Sequence, residues 1–160
     1  MKILIFSDSH GRSDKILRAI RIHTDAEAVF FLGDGLSELE GIAASYTNIA
    51  FFAVRGNCDA YPLFRGVPAE KTATVTLFDK KIFYTHGDLY GVKSGIGNLL
   101  SYVRAAHADI ALYGHTHTPD LNYIDGVYLF NPGAVGSHEG SYGILTIDEK
   151  NVLFSHGVIK

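Results

Sequence analysis

One cysteine, one methionine, four prolines and no tryptophan leave this sequence without several common structural devices. With Cys58 alone, no internal disulfide forms, and the eight histidines have no cysteine partners for a Cys/His zinc finger, which suits a reducing compartment. A basic cluster is missing as well. The net charge is −3, so long nucleic acid, whose binding rests on phosphate-neutralising Lys and Arg, is not an expected partner. A small anionic substrate stays open. Met1-Lys2 leads straight into Ile3-Leu4-Ile5-Phe6, a run far too short for a signal segment or a membrane span. No membrane association and a cytoplasmic location are therefore expected, and repeats, linkers and low-complexity stretches are absent.

Core material is plentiful. The 160 residues are 47% hydrophobic, with ten Phe and nine Tyr, which fits one compact domain spanning 1–160 and burying roughly 70% of its unfolded surface. Lys2 to Phe6 reads as a strand, Ile16, Leu17 and Ile20 recur at helical spacing, and Ala28 to Leu32 is strand-like again. This is a βαβ unit, with Ser13 or Asp14 expected to cap its helix. Leu36 to Ala44 reads as a second helix and Ile49 to Val54 as a third buried strand, which makes the first third of the chain parallel. Past Pro62 and Pro68, Ala73 to Phe78 and Lys81 to Thr85 flank Asp79-Lys80 as a hairpin. Lys93 to His107 is expected as one helix and Ile110 to Tyr113 as a strand. Leu121 to Ile124, Val127 to Phe130, Tyr142 to Ile147 and Val152 to His156 form an antiparallel tail with turns at Asp125-Gly126 and Glu149-Lys150. So many strands favour two sheets face to face, covered by helices, because a single sheet of that width tends to split.

Seven polar residues in five Gly-marked segments then stand out: Asp8-Ser9-His10, Gly33-Asp34, Gly56-Asn57, His86-Gly87 and Gly114-His115-Thr116-His117. Each follows an apolar run, so each is expected at the carboxyl end of a strand, where loops of open α/β sheets converge on one crevice. Singly, Asp8, Asp34 and Asn57 also suit turns. In extended chain, however, Asp8 and His10 would point to the same side and chelate together, and two histidines one residue apart would reach neighbouring ions. Mixed imidazole and carboxylate donors suit Mn, Fe, Zn or Ni better than Ca or Mg. Two such ions about 3.5–4 Å apart activate a bridging water and neutralise phosphoryl charge in an in-line displacement. Two divalent ions and two carboxylates leave a surplus of roughly +2, which neutral Asn57 and the imidazoles preserve.

The motifs Asp8-x-His10, Gly33-Asp34, Gly56-Asn57-Cys58-Asp59, Thr85-His86-Gly87, Gly114-His115-Thr116-His117 and Asn131-Pro132-Gly133, in this order, resemble the calcineurin-like metallophosphoesterases, and among them the small YfcE-like phosphodiesterases. The resemblance implies the metallo-dependent phosphatase fold, a four-layer α/β/β/α sandwich of two mixed sheets flanked by helices. It implies one ion on Asp8, His10, Asp34 and His117, and a second on Asp34, Asn57, His86 and His115, with Asp34 bridging. Mn is the favoured cofactor, with Fe, Zn, Ni or Mg as alternatives. The implied activity is hydrolysis of a small phosphodiester by attack of a metal-bridging hydroxide, and a homo-oligomer is left open. Phosphomonoesterase activity is one alternative; a scaffold of the retromer-subunit type is another, against which all seven donor positions are kept.

Several positions depart from the family pattern. Cys58 stands where many members have the histidine thought to protonate the leaving group, and is expected to be inert and buried. Asp88 stands where the branch often has His, Ser37 where the broad motif has a second Asp, and Ala134 where a Ser is common. Loss of a proton donor favours diesters with good leaving groups, because proton donation ordinarily contributes roughly 10²–10⁴-fold. Arg12 and Arg55 flank ligand loops but are expected to face solvent. His23, His107, His138 and His156 receive no role; Tyr61 and Phe64 as exposed aromatics would mark a partner or dimer surface, and packing of their loop is the simpler reading.

Overall fold

The structure, a computed structural model, describes residues 1–60 and 63–159; Tyr61 and Pro62 lie outside the described residues. The elements in chain order are β1 (Lys2–Phe6), α1 (Ser13–Ile22), β2 (Ala28–Phe31), α2 (Leu36–Ser45), β3 (Ala50–Ala53), β4 (Leu63–Phe64), β5 (Val67–Pro68), β6 (Thr72–Leu77) and β7 (Lys80–Thr85). After two 3-10 turns come α3 (Gly97–Ala105), β8 (Ile110–Leu112), β9 (Pro119–Ile124), β10 (Val127–Pro132), β11 (Gly140–Ile147) and β12 (Val152–Ile159).

Two five-stranded sheets result, ordered β12-β11-β1-β2-β3 and β6-β7-β8-β10-β9. β1, β2 and β3 run parallel, as do β7, β8 and β10, with antiparallel strands at the remaining positions. The unbroken apolar sequence of β1 follows from burial on both faces. Leu4 and Phe6 pack with Ile16 and Ile20 of α1 and Leu36 and Leu39 of α2, whereas Ile3 and Ile5 pack with Ile82, Tyr84, Ile110 and Leu112 of the other sheet. On that sheet's far face, Phe83, Ala111 and Leu129 meet Leu99 and Val103 of α3. Helices, sheet, sheet and helix are thus the four layers expected.

Local details differ from the sequence reading. Helix α1 starts at Ser13 itself, with Arg12 in the capping position and no side-chain cap; Asp14 is engaged by Arg12 at 3.0 Å on each carboxylate oxygen. The β6–β7 turn is Phe78-Asp79 rather than Asp79-Lys80, since Leu77 pairs with Lys80. Both turn residues have left-handed backbones (φ 48° and 60°), and phenylalanine is an improbable occupant of such a position. The helix expected over 93–107 is a 3-10 turn at Val92–Ser94 and then α3, separated by Gly95 at φ 134°, ψ 159°. The last hairpin closes through four residues, not two: Ile147 pairs with Val152, and Asp148 accepts from the amides of Lys150 and Asn151 at 2.8 Å each. Phe64 is buried, in keeping with packing of its loop rather than a partner surface, because the short β4–β5 hairpin folds it into the α1–α2 core.

Candidate metal centre

The loops leaving β1, β2 and β3 carry Asp8, His10, Asp34 and Asn57; those leaving β7 and β8 carry His86, His115 and His117. The carboxyl ends of both sheets lie side by side, and the donors meet across the seam. Asp8 is fully buried. Its Oδ2 accepts from the Ser7 hydroxyl at 2.6 Å and the His115 amide at 3.1 Å. Its Oδ1 has no hydrogen-bond donor, yet faces Nε2 of His117 at 3.1 Å, of His10 at 3.8 Å and of His86 at 3.9 Å.

His86 anchors the other half. Its Nδ1 lies 2.8 Å from the Leu32 carbonyl, which only accepts, so Nδ1 carries a proton; Nε2 presents a lone pair when the ring is neutral and donates when it is protonated. Around that Nε2 stand Asn57 Oδ1 at 3.1 Å, His115 Nδ1 at 3.1 Å and Asp34 Oδ2 at 3.3 Å. Four electron-rich atoms converging on one point call for a cation, as does the orphaned Asp8 Oδ1. Two compact groups of donors satisfy a metal's reach, Asp8-His10-His117 and Asp8-Asp34-His86, each with its atoms within 4.8 Å of one another. Asp8 belongs to both groups and Asp34 to one of them; the chemistry of oxygen and imidazole nitrogen donors fits divalent transition metals.

Charges follow this geometry. Burial pushes the Asp34 carboxyl up, but hydrogen bonds from His86 and from the Cys58 amide (2.8 Å) outweigh it and hold the group below the usual carboxylate range. Burial pulls His86 down, yet Asp34 and Asp8 more than compensate, so its pKa is raised. Burial, then the neighbouring His86, lowers His115. Near Asp34 the Cys58 thiol is pushed up. Cys58 is exposed, contrary to the buried position expected, because its loop turns the thiol out into an adjoining cleft. That cleft, about 260 Å³, is bordered by His10, Asp34, Ser37, Glu38, Cys58 and Asp59.

The backbone is unusual at these donors. Asp8, His10, Asp34, His115 and His117 all have positive φ, between 44° and 68°. Extended alternation therefore does not bring Asp8 and His10 together; two left-handed residues flanking Ser9 do. Among the described residues only Arg65, Phe78, Asp79, His107 and Asp125 are other non-glycine examples. Such conformations cost about 1–3 kcal/mol each and persist where the surroundings over-determine them, typically at functional sites. Glycine is needed beside them: a Cβ on Gly56 would strike the Asp34 carboxylate, and one on Gly114 the Ser7 side chain.

Supporting residues were less visible in the sequence. Asn131, quoted only within its motif, donates to the Gly114 carbonyl and to Thr116 Oγ1 at 3.0 Å each and accepts from the Gly133 amide at 2.9 Å, which shapes the His115–His117 loop. Asp59 gathers four backbone amides. Neither shows as chemistry in a linear reading, because both act on the backbone of distant loops. Asp88 is paired with Lys71 at 2.7 Å, Arg12 with Asp14, and His23 bonds Tyr142 at 2.8 Å. His156 stacks on Phe130 and meets the Asn131 carbonyl at 2.8 Å.

Residues 1–151 match the sequence profile of the calcineurin-like phosphoesterase superfamily domain. The probable metallophosphoesterase YsnB of Bacillus subtilis is 31% identical over 152 residues, covering 92% of this chain and 85% of that protein. The phosphodiesterase YfcE of Escherichia coli is 30% identical over 175 residues, covering 96% and 91%. A solved Streptococcus pneumoniae protein, described as a predicted phosphoesterase, superposes with a TM-score of 0.80 at 27% identity, covering 98% of this chain and 88% of its own.

Proposed function

The chain belongs to the calcineurin-like phosphoesterase superfamily, and on that premise we propose that it is a phosphodiesterase whose two divalent ions are held by Asp8, His10, Asp34, Asn57, His86, His115 and His117. Membership makes it a hydrolase of phosphoesters, and homologues named phosphodiesterase favour the diester. The observation that carries the proposal is the meeting of Asp34, Asn57 and His115 on Nε2 of His86, beside an Asp8 oxygen that lacks a donor. Asp8, His10, Asp34 and His117 would take one ion, and Asp34, Asn57, His86 and His115 the other. When bound, such a pair supplies an activated water and charge neutralisation for in-line displacement at phosphorus.

The protein's own contribution is positioning. The Leu32 carbonyl fixes the His86 tautomer with Nε2 free for a ligand. The Cys58 amide keeps Asp34 ionised and aimed. The cleft beside His10 and Asp34 receives the alcohol side of a small diester. Mn is the favoured ion, and the cytoplasm the favoured setting; no helix of the described residues is long and apolar enough to cross a membrane. The test is to strip the protein of metal, reload it with Mn, Fe, Zn, Ni or Mg in turn, and assay one activated diester against the matching monoester. Mn is expected to restore diester cleavage best, and Asp34→Asn to remain inactive under every ion. Full activity in Asp34→Asn, or a clear preference for the monoester, would overturn the proposal.

A further inference from the structure

We infer that Asp59, outside the expected ligand set, is a positioning residue for the metal centre: its carboxylate ties the loop carrying Asp34 to the loop carrying Asn57 and sets the spacing of those donors. The inference rests on the reading of the seven residues as holders of a cation pair.

Helix α2 begins without a cap of its own. Gly35 sits in the capping position at φ 144° with no side chain to offer, and the amides of a helix's first turn need acceptors. Asp59 provides them from a loop 23 to 25 residues further along the chain. Its Oδ1 accepts from the amides of Gly35 and Leu36 at 2.9 Å each; its Oδ2 accepts from Asp34 at 2.9 Å and from Gly56 at 2.7 Å. Three of these donors belong to the Asp34 loop and one to the loop of Asn57. A carboxylate held at four points by charge-assisted bonds cannot rotate.

A bond in the opposite direction completes the tie. The Cys58 amide donates to Asp34 Oδ1 at 2.8 Å, which leaves Asp34 Oδ2 directed at Nε2 of His86, 3.3 Å away. Asp34 and Asn57 are thus fixed relative to each other by bonds from backbone amides to carboxylates, which need no ion. An asparagine at 59 would keep one acceptor oxygen and set an NH₂ group against N–H donors, so the two loops would separate on the side of the donor set that includes Asn57.

The decisive experiment titrates Mn(II) alone into metal-free wild type, Asp59→Asn, Asp59→Glu and Asp59→Ala, the last with and without formate, with circular dichroism confirming the fold. Removing partners that orient ligands typically costs 10–100-fold in metal affinity. The expectation is about that loss for Asp59→Asn, an intermediate affinity for Asp59→Glu, and recovery of Asp59→Ala by formate, which reaches the half-buried position through the cleft. Affinity of folded Asp59→Asn within about twofold of wild type, or no response to formate, would overturn it. Hydrogen exchange on metal-free wild type covers the case in which the variants fail to fold: the amides of residues 34, 35, 36 and 56 are expected to be protected, and free exchange there would also overturn it. A wild type that binds no pair of Mn(II) ions defeats the dinuclear reading instead, whereas normal wild-type binding with an unperturbed Asp59→Asn defeats this inference alone.

Discussion

At the scale of single residues, His86 Nε2 would be contested between a proton and a cation in the proposed centre. In the metal-free protein its pKa is raised, with the Asp34 and Asp8 charges overcoming burial. The folded state then holds the proton more tightly than the unfolded chain, so this group contributes stability below about pH 6.5 that is lost as the pH climbs through the raised value. Asp34, held low, contributes stability above about pH 3.9 that is lost as the pH falls toward its folded value. Melting of chelator-treated protein between pH 5.5 and 8.5 is therefore expected to show a falling Tm that His86→Gln flattens. Cys58 supplies a second expectation. Asp34 raises its pKa, and a thiol that acid-weak is a poor donor to a departing alkoxide, so diester rates should fall steeply as the leaving-group pKa increases; a flat dependence would mean another group gives the proton. The donor types were readable from the chain because residues that are ordinary turn formers singly recur together, with histidines, after five apolar runs. Their left-handed backbones were not, since strain at Asp8 or His117 is imposed by neighbours remote in sequence.

At the scale of elements, strands read more reliably than their boundaries. β1 and β2 are apolar at every buried position because both faces are covered, and a run of that kind leaves little ambiguity. Turn placement was poorer where composition ran against geometry, as at Phe78. A two-residue turn with both φ positive prefers Asn-Gly, and each unfavourable left-handed residue costs roughly 1–2 kcal/mol. Phe78 is exposed, so the double change Phe78→Asn, Asp79→Gly is expected to stabilise the protein by on the order of 1 kcal/mol, raising Tm by about 2–4 °C. The interruption of the third helix was hidden for a related reason: Ile96, Leu99, Leu100 and Val103 keep helical spacing, and nothing in that spacing shows that Gly95 has left the helical region.

At the scale of the whole molecule, the donor loops are divided between the two halves of the sandwich: Asp8, His10, Asp34 and Asn57 on one sheet, His86, His115 and His117 on the other. A ligand that binds only the folded state stabilises it by mass action, about 2.7 kcal/mol at a free concentration of 100 times Kd. Chelation is accordingly expected to lower Tm, and reloading to restore it in proportion to the logarithm of ion concentration; equal melting with and without metal would show that no ion binds the folded state in preference to the unfolded chain. An occupied centre would also act as a rivet through the sandwich, since neither half can slide along its neighbour without stretching the coordination bonds. Packing defects far from the chemistry, in the seam where Phe30 stacks on Phe52 and abuts Tyr84, would then be felt first as a change in spacing between the paired ions, so that catalysis becomes the most sensitive gauge of how well the two halves are registered.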